Sequence, residues 1–340
     1  MLSFKIVLIH LKVNTDITMT KSEKLKYRQD ILGSDYECCD LEFPNDYDGK
    51  VIATLVRKKS SQTTQKAVLY VHGFIDYFFQ TEMADQFNKH GYDFYALDLR
   101  KYGRSHLAHQ AFFNVHDLRE YDAEISKALE VIGNENHSSV LLAGHSTGGL
   151  ITTLFCAHYP NHPLIKGLWV NSPFYGFNKS EFEKKLGIPS ISKLAKYLPD
   201  IQVPSGLNKW YVASLHISLQ GEWNFNLEWK PEQYPFLKIS FVRAIFESHR
   251  ELHQGIYLSV PTLVMHSDRT TNPKNWGVDA QSSDVILDVE DIKKYGQKIS
   301  GHVTLCEIKN GLHDLVLSAP DVREQVYKNL FNWLQIKFSS

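Results

Sequence analysis

The chain of 340 residues has only four cysteines, and none of them lies in a metal-binding pattern. Cys38 and Cys39 are adjacent, whereas Cys156 and Cys306 stand alone in apolar segments, and no CxxC or Cys/His ligand spacing occurs. We therefore expect four reduced thiols in a reducing compartment. The same absence gives no support to a disulfide scaffold or a structural metal site.

An excess of one charge is also lacking, since 37 basic and 38 acidic residues give a formal net charge of −1. The basic residues are scattered, so nothing favours a nucleic acid as partner. Residues 1–12 are apolar, but Lys5, His10 and Lys12 interrupt them. This stretch is too short to span a bilayer and lacks the apolar centre and cleavage site of a signal peptide. We expect a cytoplasmic protein without an integral membrane segment.

Short apolar runs alternate with helical patterns along most of the chain, and hydrophobic residues make up 43% of it. Leu118, Ile125, Leu129 and Ile132 follow helical spacing, and residues 322–333 repeat the pattern near the C-terminus. Alternating strands and helices are typical of a mostly parallel sheet covered on both faces. The predicted strands are residues 50–56, 67–71, 92–97, 139–143, 166–170, 261–266 and 302–308.

This alternation stops near residue 174 and resumes near residue 257. The interval is rich in aromatic residues, including Trp210, Trp223 and Trp229. We interpret it as a mainly helical lid inserted between two core strands, with a second independent domain as the alternative. The predicted organisation is an N-terminal extension (1–30), a first part of the core (31–173), the lid (174–256) and a second part of the core (257–340).

Residues 144–148, Gly-His-Ser-Thr-Gly, are the strongest candidate for a catalytic motif. A GxSxG pattern alone is weak evidence, but this one follows a predicted strand and precedes a predicted helix that Pro160 ends. A nucleophile elbow needs that context, because the sharp turn lifts the serine above the end of the strand. Ser146 is therefore the predicted nucleophile, and the helix N-terminus supplies a favourable field for developing negative charge.

The chain resembles an α/β-hydrolase of the serine-aminopeptidase or monoglyceride-lipase-like (lysophospholipase-like) branch. This resemblance implies an α/β-hydrolase fold, with an oxyanion hole formed by the backbone amides of Phe74 and Thr147. The family pattern has a glycine where this sequence has Lys101, so we expect a differently shaped loop there. The segments that carry the resemblance are residues 71–74 (Val-His-Gly-Phe), 98–105 (Asp-Leu-Arg-Lys-Tyr-Gly-Arg-Ser), 144–148 and 311–314 (Gly-Leu-His-Asp).

A serine nucleophile needs a histidine base, and the histidine needs a carboxylate that fixes its tautomer. Of 16 histidines, His313 is favoured because it lies in a loop between the last strand and the last helix, where the resemblance also places the base. Asp284 is the preferred acid and Asp268 the alternative, with Asp288 third. Asp268 directly follows a strand, whereas Asp284 fits only if residues 269–283 form an inserted loop.

These residues imply hydrolysis of a small-molecule acyl ester through an acyl-enzyme, without a metal or cofactor. Carboxylesterase, lysophospholipase or monoacylglycerol lipase chemistry is the first expectation. A serine aminopeptidase is the alternative, and it would need an acidic site for the substrate's ammonium group; a non-catalytic binding protein is a third reading. The sequence leaves the oligomeric state open. The candidate acidic residues in the predicted lid are Glu181, Glu183, Glu222 and Glu228.

Overall fold

A computed structural model describes residues 25–338, so most of the predicted N-terminal extension lies outside the described residues. The strands are β1 (Arg28–Asp30), β2 (Gly33–Asp46), β3 (Gly49–Lys58), β4 (Lys66–Val71), β5 (Asp93–Asp98), β6 (Ser139–His145), β7 (Ile165–Asn171), β8 (Gln202–Val203), β9 (Leu237–Lys238), β10 (Tyr257–Ser267) and β11 (Ser300–Ile308). The helices are α1 (Thr81–Lys89), α2 (Asp122–Asn134), α3 (Thr147–His158), α4 (Ile188–Ala195), α5 (Trp210–Leu215), α6 (Ile239–His253), α7 (Val278–Gln281), α8 (Val289–Gly296) and α9 (Pro320–Phe338).

One sheet organises the described residues, with the strand order β1-β2-β3-β5-β4-β6-β7-β10-β11. Strands β4–β7, β10 and β11 pair in parallel, as the alternation of strands and helices predicts. Every residue of β5 is buried, as expected for a central strand covered by helices on both faces. The carboxyl ends of these parallel strands meet at one edge, which is where open α/β sheets place their ligand sites.

The first strands of the sheet are not among the predicted ones. β1 and β2 pair antiparallel with each other, and β2 pairs antiparallel with β3. The sheet therefore begins at Arg28, just before the predicted end of the N-terminal extension. Charged residues and Pro44 interrupt β2, so its apolar residues do not form the continuous run that marks the central strands.

The interval between β7 and β10 adds no strand to the main sheet. It contains α4, α5, α6 and the small β8–β9 pair, and is called the inserted segment (residues 174–256) below. Both α6 and the loops around α5 pack against core residues such as Phe74 and Tyr77. Within residues 25–338, no helix is long and apolar enough to cross a bilayer.

Lys101, the residue that departs from the family pattern, has an unusual environment. Its φ of 65° lies in the left-handed region that glycine adopts freely and lysine does not. Its side chain is fully buried, and the ammonium lies 2.8 Å from Asp46 and 2.6 Å from Asp48, in the turn between β2 and β3. Two ion pairs thus offset the cost of this backbone conformation, and the lysine links its loop to the turn between the antiparallel strands β2 and β3.

We expect Lys101→Met to lower the free energy of unfolding by roughly 3 kcal/mol, since it leaves two largely buried carboxylates without their ammonium partner. Urea unfolding followed by circular dichroism measures this effect. Lys127→Met is the matched control, because Lys127 pairs with Glu130 on an exposed helical surface and such pairs contribute about 1 kcal/mol or less. Equal midpoints for the two variants would contradict the structural role assigned to Lys101.

Candidate active site

Ser146 lies between the end of β6 and the start of α3, with a φ of 52°. Two glycines allow this sharp turn, because a Cβ on Gly144 would lie 2.4 Å from the carbonyl oxygen of Gly148. A Cβ on Gly148 would lie 2.3 Å from the carbonyl oxygen of Val71 in the neighbouring strand. The close contacts explain why this turn needs glycine on both sides of the serine.

His313 lies in the loop after β11, and its Nε2 atom is 2.9 Å from the Oγ atom of Ser146. Its Nδ1 atom is 2.9 Å from Oδ2 of Asp284, whose side chain is completely buried. The serine, the histidine and the preferred aspartate of the sequence analysis are therefore brought together. In this arrangement a protonated Nδ1 donates to the carboxylate, which leaves Nε2 free to accept a proton from the serine hydroxyl.

Two backbone amides fix the orientation of the Asp284 carboxylate, since its Oδ1 atom accepts hydrogen bonds from Ile286 and Leu287 at 2.8 and 2.7 Å. The backbone N–H of Asp284 donates to the carbonyl of Arg269, and the backbone N–H of Thr271 donates to the carbonyl of Asp284. These bonds join the two ends of residues 269–283. Those residues form a loop closed at its base, which places Asp284 after the strand end despite its late position.

The other two candidate acids make different contacts. Asp268 accepts a hydrogen bond from the N–H of Asn310 at 2.8 Å and lies 3.4 Å from the guanidinium of Arg269. Asp288 caps the N-terminus of α8 by accepting from the N–H of Glu290. Neither carboxylate contacts His313, and both have roles in shaping local turns.

A cavity of about 50 Å³ lies beside Ser146. Phe74 and Thr147, the predicted oxyanion-hole residues, both line it. Thr147 is the first residue of α3, and amides in a first helical turn have no acceptor within their own helix. Residues of the inserted segment complete the wall, among them Leu207, Tyr211, Val212 and Tyr234.

The cavity wall also contains a buried ion pair that the sequence analysis missed. The ammonium of Lys230, from the inserted segment, lies 2.9 Å from Oδ1 of Asp76, and the two side chains are 3% and 1% exposed. No sequence pattern links these residues, which are 154 positions apart. Lys230 also lies over the rings of Phe79 and Tyr211, so aromatic side chains cover the rest of its surface.

Asp76, His145 and Asp314 form a buried cluster whose potential ligand atoms lie within 4.8 Å of one another. The amides of Gln80 and Asn171 donate to the two oxygens of Asp314 at 3.0 and 2.7 Å. With Lys230 on Asp76, these groups already occupy most of the acceptor positions. Burial lowers the pKa of His145, which keeps the ring neutral. We interpret the cluster as a hydrogen-bonded network beneath the site.

Other histidines in or near the motif segments make structural contacts. His72 accepts a hydrogen bond from the N–H of Leu99 at 3.0 Å and so orients the loop after β4. His145 has its Nδ1 atom 3.1 Å from the Asn171 carbonyl. Burial lowers the pKa of His72, and also that of His266 at the end of β10. Among residues 25–338, His313 is therefore the histidine placed against Ser146.

The model of the family described as serine aminopeptidase, S33, matches residues 62–318, which include Ser146, Asp284 and His313. The chain belongs to this family. The predicted resemblance is therefore confirmed.

Curated relatives match over shorter stretches. The chain is 30% identical over 141 residues to a probable lysophospholipase L2 of Haemophilus influenzae, covering 40% of this chain and 44% of that protein. It is 31% identical over 86 residues to a bifunctional esterase/perhydrolase of Acinetobacter calcoaceticus, covering 25% and 29%. The chain thus matches less than half the length of these relatives.

Solved structures match over nearly the whole chain. A soluble variant of monoglyceride lipase from Saccharomyces cerevisiae superposes with a TM-score of 0.61 at 16% identity, covering 94% of this chain and 97% of that one. A monoacylglycerol lipase from Paleococcus ferrophilus gives a TM-score of 0.60 at 16% identity, covering 88% and 99%. These likenesses confirm the predicted α/β-hydrolase fold.

Proposed function

We propose that this protein is a serine hydrolase that cleaves carboxylic esters, with Ser146, His313 and Asp284 as its catalytic triad. The observation that carries the proposal is the pair of 2.9 Å contacts that link Ser146 to His313 and His313 to Asp284. The resemblance to lipases and esterases supports the same chemistry.

In the proposed mechanism, Oγ of Ser146 attacks the carbonyl carbon while Nε2 of His313 accepts the serine proton. The amides of Phe74 and Thr147 donate hydrogen bonds to the oxyanion that forms. The bond to the leaving alcohol then breaks, and the alcohol takes the proton from His313. Water activated by His313 attacks the acyl-enzyme, releases the carboxylic acid and restores Ser146.

The charge of the cavity favours an ester over an N-terminal peptide substrate. Asp76 is the only carboxylate among the described residues that line the cavity, and Lys230 already pairs with it. An aminopeptidase substrate would place its ammonium group beside that of Lys230, and like charges in such a site cost several kcal/mol. None of the four candidate glutamates of the sequence analysis lines this cavity.

The surface of the inserted segment favours a lipid ester. Residues 182–201 of this segment combine exposed apolar side chains with exposed lysines, which is typical of surfaces that contact lipid aggregates. Lys185, Lys193 and Lys196 are exposed in the same stretch. Six large apolar side chains of this stretch are at least 40% exposed: Phe182, Leu186, Leu194, Tyr197, Leu198 and Ile201.

The size of the cavity adds a prediction about acyl chain length. About 50 Å³ is far below the several hundred Å³ typical of ligand pockets, so a long acyl chain must displace wall residues of the inserted segment. We therefore expect p-nitrophenyl butyrate to be hydrolysed in buffer alone. Long-chain esters should need a lipid or detergent surface that draws the inserted segment outward.

A substrate panel separates the two enzyme classes. It compares p-nitrophenyl esters of graded chain length with leucine p-nitroanilide, and N-acetyl-leucine p-nitroanilide is the control without an ammonium group. We expect kcat/KM for leucine p-nitroanilide to be at least about 100-fold below that for its N-acetyl control, because only the free amine places a like charge beside Lys230. Faster cleavage of the free-amine anilide than of its N-acetyl control would favour the aminopeptidase. No turnover of any substrate would favour a binding protein.

A further inference from the structure

The loop that carries Phe74 contains a strained residue. Ile75 has a φ of 51°, a backbone conformation that β-branched side chains rarely adopt. Such a conformation persists only when surrounding contacts hold it. The contacts that hold this loop therefore determine where the Phe74 amide points.

The two ends of the loop are tied to the core sheet. The N–H of Leu99 donates to the ring of His72 at 3.0 Å, just before the loop. The N–H of Phe78 donates to Asp98 at 2.9 Å, just after it. These bonds fix where the loop starts and ends.

The middle of the loop is held mainly by the inserted segment. The Phe74 ring stacks on Phe241 of α6 with ring centroids 4.9 Å apart, and it also meets Phe113 of the core. The Tyr77 hydroxyl accepts a hydrogen bond from the N–H of Asn226 at 2.6 Å.

Between these two contacts lies the ion pair of Asp76 and Lys230. Oδ1 of Asp76 accepts a hydrogen bond from the ammonium of Lys230, whereas Oδ2 has no hydrogen-bond partner among the described residues. Lys230 is thus the hydrogen-bond donor that holds this carboxylate within residues 25–338. A carboxylate that is almost completely buried interacts strongly with a single cation, and losing the cation leaves an uncompensated charge. Lys230 is thus the strongest polar restraint on the residue directly after Ile75.

We infer that Lys230 is a positioning residue that holds the Phe74 amide in the oxyanion hole through Asp76. The inference rests on the proposed serine hydrolase function. Under it, the inserted segment does more than select the substrate: the oxyanion hole is complete only when residues 226–230 are seated on the loop. Movement of the inserted segment would then change the rate of the chemical step as well as access to the cavity.

The test compares Lys230→Met with wild type in hydrolysis of p-nitrophenyl butyrate. Loss of one oxyanion-hole donor typically lowers kcat by about 100-fold, and we expect a fall of that order with KM changed by less than about threefold. Rates are expressed per active site titrated with a fluorophosphonate, so that unfolded protein does not contribute. Lys238→Met is the matched control, because Lys238 pairs with the exposed Asp200 in the same segment; it should keep wild-type kcat.

A second variant separates positioning from folding. Asp76→Asn/Lys230→Met removes both charges, so no buried carboxylate is left unpaired, yet it also lacks the restraint on the loop. We expect thermal stability near wild type with kcat still about 100-fold low. The inhibition constant of a trifluoromethyl ketone, whose adduct places an oxyanion in the hole, should rise by the same factor as kcat falls.

Wild-type kcat and wild-type ketone affinity in the double variant would overturn the inference while leaving the proposed function intact. A restored kcat on Lys230→Arg would support it, since arginine keeps the charge on Asp76. If wild type itself shows no Ser146-dependent turnover, the proposed function fails, and that result is distinct from a failure of the Lys230 inference.

Discussion

Replacing Ser146 with alanine is expected to lower kcat for p-nitrophenyl butyrate by about a million-fold, the loss seen when a triad nucleophile is removed. The alanine has no oxygen to attack the carbonyl, and His313 then has no proton to accept from it. Residual rate comes from the oxyanion hole and substrate binding alone. Stopped-flow and long-time absorbance assays together cover this range.

Ser172→Ala is the matched control for that substitution. Ser172 follows the neighbouring strand β7, is fully buried and also has a left-handed backbone, with a φ of 46°. Its hydroxyl has no hydrogen-bond partner among the described residues. We expect kcat within about threefold of wild type, because the substitution removes only this hydroxyl and leaves the reacting groups in place. Comparable losses in both variants would indicate a general effect on folding and contradict the role of Ser146.

Asp284→Asn is expected to lower kcat by about 10⁴-fold while leaving the fold intact. The asparagine oxygen can still accept from Ile286 and Leu287, so its NH₂ group faces the His313 ring. That NH₂ group cannot accept a hydrogen bond from Nδ1–H, and the ring adopts the tautomer with hydrogen on Nε2, which cannot activate the serine.

Asp268→Asn is the control, because this aspartate was the alternative acid and contacts Asn310 and Arg269 instead of His313. We expect kcat within about fivefold of wild type and a small fall in the melting temperature. A loss of several orders of magnitude in Asp268→Asn, with Asp284→Asn near wild type, would reverse the assignment.

Much of the core fold could be predicted from the sequence, because its central strands are continuous apolar runs between helical patterns. The strands predicted over residues 67–71 and 139–143 lie within β4 and β6. β1 and β2 were not predicted because exposed sheet edges tolerate charges and proline. β1 is the edge strand, and it pairs with only the first part of β2. The buried apolar residues of β2 lie within residues 36–41, between the exposed Asp35 and Glu42, and the pattern is correspondingly short.

The site could be predicted in part. Ser146 and His313 are marked by local motifs, since each lies in a turn whose neighbours in sequence shape it. The choice between Asp284 and Asp268 depended on whether residues 269–283 form a loop whose two ends meet. The hydrogen bonds that join those ends are made in three dimensions and leave no pattern in the sequence. Lys230 has no motif, because its role depends on a contact with a residue in a distant segment.

The most direct test of the proposed mechanism is to trap the acyl-enzyme. Wild-type protein is mixed with p-nitrophenyl butyrate, quenched in acid during turnover, digested and analysed by mass spectrometry. We predict a butyryl group on Ser146 that accumulates during turnover, disappears when substrate is exhausted and is absent from the Ser146→Ala variant. Turnover with no acyl group on Ser146, or with the group on another residue, would contradict the proposal.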